Sequence, residues 1–292
     1  MGGPPAYGLI TPARDESDNL PRLADGLVAQ TVLPAAWVIV DNGSTDGTAE
    51  IAAEIAREHP WVTVLTMEVE ETPTRAGPTV QAFQRGLAAL GPLPDIVVKL
   101  DADVSFSPDY FARLLGAFEA DPLLGMASGT CYEQEAGSWR QRHVTEGHVW
   151  GASRAYRQRC LEDVLPLESG LAWDGIDELK AAVKGWRTTT LATLPFYHHR
   201  PEAARESSRW RAWAATGAMS HYMGYRFGYL VLRTLHHTRR DPVALASIWG
   251  YLASAVRREP RYPDPEVRAF LRRKQSIRNL PMRIGEAFGR GT

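Results

Sequence analysis

Short apolar runs alternate with helix-like stretches through the first two thirds of the chain, and this alternation limits the fold more than any other feature. Residues 7–11, 37–40, 62–66 and 95–100 read as strands. Between them, residues 19–30 place Leu20, Leu23, Leu27 and Val28 at helical spacing. A second helix, after the turn 41–47, carries Ile51, Ala52, Ile55 and Ala56 on one face, and residues 79–90 read as a third. Strands alternating with helices in this way predict an α/β fold with a mostly parallel central sheet and crossover helices. Further along, the pattern predicts a helix over 110–120 closed by Asp121-Pro122 and a strand over 124–132. A strand-like start then joins a helix within 148–157, a helix through 179–184 ends at Gly185, and a late strand spans 186–194. From about Arg209 the texture changes to aromatic and arginine-rich helical stretches, broken at Asp241-Pro242 and between Pro260 and Pro265. We place a domain boundary near residue 204, giving a body of 1–204 and a helical C-terminal region of 205–292.

Charge follows the same division. Residues 1–204 hold 16 Lys/Arg against 28 Asp/Glu, and residues 205–292 hold 17 against 6, within a total net charge of −1. The near-neutral total offers no electrostatic case for nucleic acid. An acidic body suits cation binding, and a basic tail suits an anionic surface or polyphosphate. Cys131 and Cys160 are too few for a disulfide framework and lack metal-ligand spacing, so both are expected as reduced thiols. The start is Gly/Pro-rich and uncharged, and no run reaches the roughly 18 apolar residues of a spanning helix. The expected location is cytoplasmic, or peripheral on the cytosolic face of a membrane. The sequence leaves the oligomeric state open.

Four clusters carry chemistry. Asp41-Asn42-Gly43-Ser44-Thr45-Asp46-Gly47-Thr48 follows a strand and precedes a helix. Ligands of open parallel sheets bind at the carboxyl ends of strands, where Asp41 could accept from a base or a ribose hydroxyl; the same residues also suit a helix cap. Asp101-Ala102-Asp103 directly follows the apolar strand 96–100. Like charges this close repel unless a cation lies between them, and hard ions such as Mg²⁺ or Mn²⁺ take oxygen ligands and substrate phosphates; a strand-ending turn is the plainer alternative. Trp173-Asp174-Gly175-Ile176-Asp177-Glu178 sets three acids at a helix start. That position favours acids through the helix dipole, and it could equally supply a general base for a hydroxyl nucleophile. His198-His199-Arg200 follows the last predicted strand of the body: an imidazole can complete a metal site, and a guanidinium can pair with phosphate.

Together these residues resemble the family-2 glycosyltransferases of the GT-A superfamily over roughly residues 7–200. The resemblance begins at Thr11-Pro12-Ala13-Arg14-Asp15-Glu16 and runs through Gln30, the 41–48 segment, and Gly77 to Gly86. It continues through the acids at 101 and 103, the loop around Gly151, the acid cluster and the late histidines. It implies a GT-A (Rossmann-like) fold and metal-dependent, inverting sugar transfer from a nucleotide-diphosphate sugar. It also implies that Pro12, Ala13, Arg14, Glu16, Asp41, Gly43, Asp101 and Ala102 line the nucleotide sugar, with Arg75 serving a phosphate in place of the family's lysine. By the same resemblance Asp103 and Asp101 hold Mn²⁺ or Mg²⁺, with His198 or His199 as a further ligand. The base falls among Asp174, Asp177 and Glu178: the usual Glu-Asp pair is Trp173-Asp174 here, which favours Asp174, with Asp177 as its competitor.

Tryptophans, tyrosines and arginines mixed on the helices of 209–258 suit a membrane interface, and so an acceptor that is a lipid-linked or polymeric glycan. A helical cap on the acceptor side or a dimer surface would use similar residues. A nucleotidyltransferase that makes nucleotide sugars would share the body, but residues 9–18 lack the Gly-rich, basic phosphate loop such enzymes need. A non-catalytic nucleotide-sugar binder would not need the acid cluster.

Overall fold

The computed structural model describes residues 5–68, 77–135, 137–143, 147–168, 173–200, 208–239 and 241–276. The chain divides into two compact units, Met1–Pro201 and Glu202–Thr292.

The first unit is built on one nine-stranded sheet. Strands β1 (Tyr7–Ala13), β2 (Ala36–Asp41), β3 (Val62–Thr66) and β4 (Ile96–Leu100) are parallel, in the spatial order β3-β2-β1-β4. Helices α1 (Leu20–Val28), α2 (Thr48–Glu58) and α3 (Gly77–Ala89) connect them. Alternate strand residues enter opposite cores, as the two-residue side-chain period requires. Leu9, Ile39 and Val98 pack with α1 and with α4 (Tyr110–Ala120), while Ile10, Val38 and Val97 pack with α3. Both faces are buried, which is why these strands read as continuous apolar runs.

Beyond β4 the sheet becomes mixed. Strand β8 (Ser153–Arg157) runs antiparallel to β4, β6 (Leu124–Glu135) pairs antiparallel with β8, and β9 (Arg187–His198) lies parallel to β6. The three-residue β5 (Val104–Phe106) pairs with the end of β9, and β7 (Ser138–Gln141) with the end of β6. Helices α5 (Gln158–Val164) and α6 (Trp173–Val183) complete the unit. The expected strand-to-helix join within 148–157 lies later than predicted: β8 runs to Arg157, and the helix begins only at Gln158.

The second unit contains α7 (Arg209–Tyr222), α8 (Phe227–Thr238), a 3-10 turn at Pro242–Leu245, α9 (Ala246–Val256) and α10 (Pro265–Lys274). The breaks fall at the expected prolines, where Asp241 and Asp264 cap the following segments through backbone N–H groups. Among the described residues no helix is long and apolar enough to cross a membrane.

Candidate active site

Parallel pairing brings the first two sequence clusters together. The register sets Ala13 beside Asp41 at the carboxyl ends of β1 and β2. Asp41 is buried and accepts from Ser44 N at 3.2 Å, while Gly43 turns the loop with φ of 68°. The loop is laced to the segment after β1: Asp15 Oδ1 accepts from Thr45 N at 2.8 Å, and Thr48 Oγ1 accepts from Glu16 N at 2.8 Å. Ser44, Asp46 and Thr48 therefore serve loop structure, and Asp41 is the acid at the strand end. Pro12 is half-buried beside these residues, and Arg14 is exposed against Asp15. Arg75 lies outside the described residues.

The acid pair sits where β4 ends. Ala102 and Asp103 are buried, Asp103 at 1% exposure, and Asp101 is half-buried. Ligand atoms of Asp101, Asp103 and His198 lie within 4.8 Å of one another. His198 reaches the pair because Val104 of β5 pairs with it in antiparallel register. Its Nε2 is buried 3.2 Å from Asp103 Oδ1 without a well-formed hydrogen bond, and its Nδ1 faces Glu133 Oε1 at 3.4 Å. Burial pushes this imidazole down, but contacts with Asp103 and Cys131 and the charge of Asp101 outweigh it and raise the pKa to about 10. Two carboxylates, one buried and one half-buried, and a poorly bonded imidazole nitrogen in one cluster form a donor set that fits a divalent ion. Of the two histidines left open by the sequence, His199 does not join this cluster. His199 is the first residue past the end of β9, and its ring meets Ser105 Oγ at 2.8 Å and the edge of Trp139.

Three cations balance the acids. Lys99 Nζ bonds Asp101 and also donates to Gly151 O at 2.8 Å. Arg200 Nε donates to Asp103 Oδ2 at 3.0 Å, and its other arm bonds Glu16. Glu16 is thus joined to the acid pair through Arg200; burial pushes its carboxyl up, with the Asp103 charge adding and Asn19 and Arg200 opposing. The third cation is the raised His198 imidazole itself.

The acid cluster opens α6, and its three carboxylates differ in their partners. Asp177 is buried, 2.7 Å from Arg154 Nη1 and 2.6 Å from the Tyr156 hydroxyl, which donates to it. Glu178 accepts from Arg154 Nη2 at 3.0 Å and from Val149 N at 2.8 Å, and it faces His148 Nδ1 at 3.2 Å. Burial opposes charge on Arg154, but Asp177, Tyr156 and Glu178 outweigh it and push the guanidinium further up. Asp174 alone keeps a half-buried carboxylate whose only described bond is local, accepting from Gly175 N at 2.9 Å. Trp173, one residue earlier, lies under both Lys99 Nζ (5.7 Å) and the Arg154 guanidinium (5.2 Å). The Asp101 side and the Asp174 side are therefore one connected site.

Sequence reasoning missed Arg154 and Glu133. Arg154 left a trace, a charged residue inside a strand of Ser, Ala and Tyr, which is costly unless the charge is fully paired. The pairing of Glu133 with His198 depends on parallel register between β6 and β9, which no local pattern records.

A parallel half-sheet with acids at the ends of β2 and β4, closed by a mixed half that returns a histidine on β9, defines the GT-A class of fold. The chain belongs to glycosyl transferase family 2, whose family model matches residues 9–173. It is 35% identical over 108 residues to the succinoglycan biosynthesis protein ExoA of Rhizobium meliloti (strain 1021), covering 37% of this chain and 31% of that one. It is 31% identical over 175 residues to the polyprenol monophosphomannose synthase of Mycolicibacterium smegmatis, covering 53% of this chain and 63% of that one. The matches thus span less than two thirds of either curated relative. Among solved structures, the mannosyltransferase PcManGT of Pyrobaculum calidifontis, in complex with GDP-Man and Mn²⁺, superposes with a TM-score of 0.57 at 18% identity, over 94% of this chain and 87% of that one.

Proposed function

We propose that this chain transfers a sugar from a nucleotide-diphosphate sugar to an acceptor hydroxyl, with inversion and with Mn²⁺ or Mg²⁺, and that the acceptor is a lipid-linked or polymeric glycan. One observation carries the reading: Lys99, bonded to Asp101 of the Asp101-Asp103-His198 donor set, lies over the ring of Trp173, the residue next to the half-buried Asp174. A donor site and an acceptor base must adjoin in this way for direct displacement. In this reading Ala13 and Asp41 hold the nucleoside. Asp103, Asp101 and His198 hold the cation, which when bound supplies Lewis-acid stabilisation of the leaving diphosphate. Arg200, already bridging Glu16 and Asp103, is placed to share the phosphate charge. Asp174 takes the acceptor proton on the opposite face of the sugar. Asp177 and Glu178, committed to Arg154, hold α6 and the 147–151 segment in place.

The relatives support this chemistry. One is named for a polyprenol-linked mannose product, one for polysaccharide biosynthesis, and a structural neighbour carries a nucleotide sugar with Mn²⁺. In this reading residues 1–204 form the catalytic domain, and the basic second unit is its membrane-side part, peripheral on the cytosolic face. The test is a panel of nucleotide sugars with Mn²⁺ and a glycan or polyprenyl acceptor. Asp174→Asn should lower transfer about 10²- to 10⁴-fold, the range for loss of a general base, while donor binding stays near wild type. Transfer at the wild-type rate would remove Asp174 from the role. Donor hydrolysis with no transfer to any acceptor would count against the transferase reading.

A further inference from the structure

Helix α9 is built inside out for a water-soluble helix. Apart from Tyr251, the residues it buries are small (Ala246, Ser247, Gly250 and Ser254), and most of its large apolar side chains face outward. Leu245 just before it, then Trp249, Leu252 and Val256, are 45% to 82% exposed. Their spacing of four, three and four residues puts them on one helical stripe. No charged residue occurs within Ala246–Val256. Neighbouring α8, joined to α9 by a 2.9 Å contact between Thr234 Oγ1 and Ser247 Oγ, buries Leu230 but also turns large apolar side chains outward: Leu232 and Leu235 are about half exposed, and Phe227 at its start is also exposed. Most of the exposed large apolar side chains described in this chain belong to this unit. A contiguous apolar face of this kind marks an interaction surface rather than ordinary scatter.

Length and charge choose the occupant. The 11 residues of α9 extend about 16 Å at 1.5 Å per residue, roughly half the hydrocarbon thickness of a bilayer, so the helix can lie on a membrane but not span it. Arg239 follows the α8 stripe, Arg257 and Arg258 follow the α9 stripe, and all three are exposed. Residues 205–292 carry 17 Lys/Arg against 6 Asp/Glu. A second copy would bring like charge against like, whereas an anionic bilayer offers both an apolar layer and complementary phosphates.

We propose that the outer faces of α8 and α9 dock on anionic lipid bilayers, with Trp249, Leu252 and Val256 entering the interface and the arginines at the helix ends taking headgroup phosphates. The inference rests on reading the second unit as the membrane-side part of the protein, and it names the face and the lipid charge that do the work.

The test is cosedimentation of the full chain with phosphatidylcholine vesicles, with or without one-third phosphatidylglycerol. Because no sugar transfer is read, a chain that docks but does not transfer is distinguishable from one that transfers but does not dock. Wild type should bind the anionic vesicles and bind neutral ones at least tenfold more weakly. Trp249→Ser/Leu252→Ser should lose at least tenfold on the anionic vesicles, and Arg257→Gln/Arg258→Gln roughly fivefold per arginine. Val256→Asp puts a carboxylate at the most exposed stripe position without touching packing, so it should block docking even if the double serine variant folds poorly. No binding to anionic vesicles, or binding that Val256→Asp leaves unchanged, overturns the proposal. So does a dimer in solution that Val256→Asp dissociates while vesicle binding persists, which would assign the face to a second copy.

Discussion

At the scale of single residues, the most consequential side chain is one that touches no proposed substrate. Arg154 is fully buried and spends its guanidinium on Asp177, Glu178 and two backbone carbonyls, those of Asp174 and Val149. It thereby fixes the start of α6, where Asp174 sits, against the segment that leads to Gly151. Removing one partner of such a group leaves buried charge uncompensated, so Arg154→Met should destabilise the fold by about 3–5 kcal/mol in urea titration. Adding Asp177→Asn should return part of that loss, because the stranded carboxylate is gone. Arg154→Lys should not restore stability, since a single ammonium cannot span four acceptors arranged around a planar fork. Equal stability of the single and double variants would show that the Arg154–Asp177 pair is not the source of the loss.

At the scale of elements, backbone approach decides the effect of a substitution. Helices α7 and α9 meet through Gly217 and Gly250: a Cβ on Gly217 would lie 1.9 Å from Ser247 O, and one on Gly250 2.0 Å from Ala214 O. Neither backbone can yield cheaply, so Gly217→Ala should cost at least the 1–3 kcal/mol usual for overpacking. Gly116, within α4, has nothing within 4 Å of its added Cβ, and Gly116→Ala should stabilise by about 0.5–1 kcal/mol. Thermal melts of the two variants should therefore move in opposite directions; a shared direction would refute the packing account. Legibility also divides by element. Strands β1, β2 and β4 and helix α4 announced themselves because burial on both faces, or a full amphipathic period, is written into consecutive residues. Strand β5 did not: three residues hold no period, and their pairing partners lie 90 to 94 positions away, at β9. That missing register also left His198 and His199 undecided, because only the pairing of Val104 with His198 shows which of the two meets the acids. Asp174, Asp177 and Glu178 stayed open for a related reason. Their environments separate only once Arg154, invisible as a partner in sequence, claims two of them.

At the scale of the whole molecule, the acidic body does not present a bare carboxylate pair to an incoming cation. Lys99 holds Asp101, Arg200 holds Asp103 and Glu16, and the His198 imidazole has its pKa raised to about 10 by the same acids. A divalent ion alone must displace these internal charges and, at neutral pH, a proton from His198, which opposes binding. A nucleoside diphosphate changes the balance: its phosphates give Arg200 a new partner and add oxygen ligands for the ion. Ion and nucleotide should therefore bind with positive coupling. In differential scanning calorimetry, Mn²⁺ alone and a nucleoside diphosphate alone should each move the unfolding of the body little. The two together, at about 100 times the dissociation constant, should add close to 2.7 kcal/mol. Asp103→Asn should remove most of the joint effect, because it takes away the buried carboxylate that Arg200 and His198 both meet, and chelation should reverse the effect in wild type. Lowering the pH from 8 to 6 should weaken the joint shift, since a raised imidazole pKa means the ion competes with a proton more strongly as pH falls. Additive shifts from ion and nucleotide, with no coupling at either pH, would mean that the acids at 101 and 103 do not hold a cation that also meets the diphosphate.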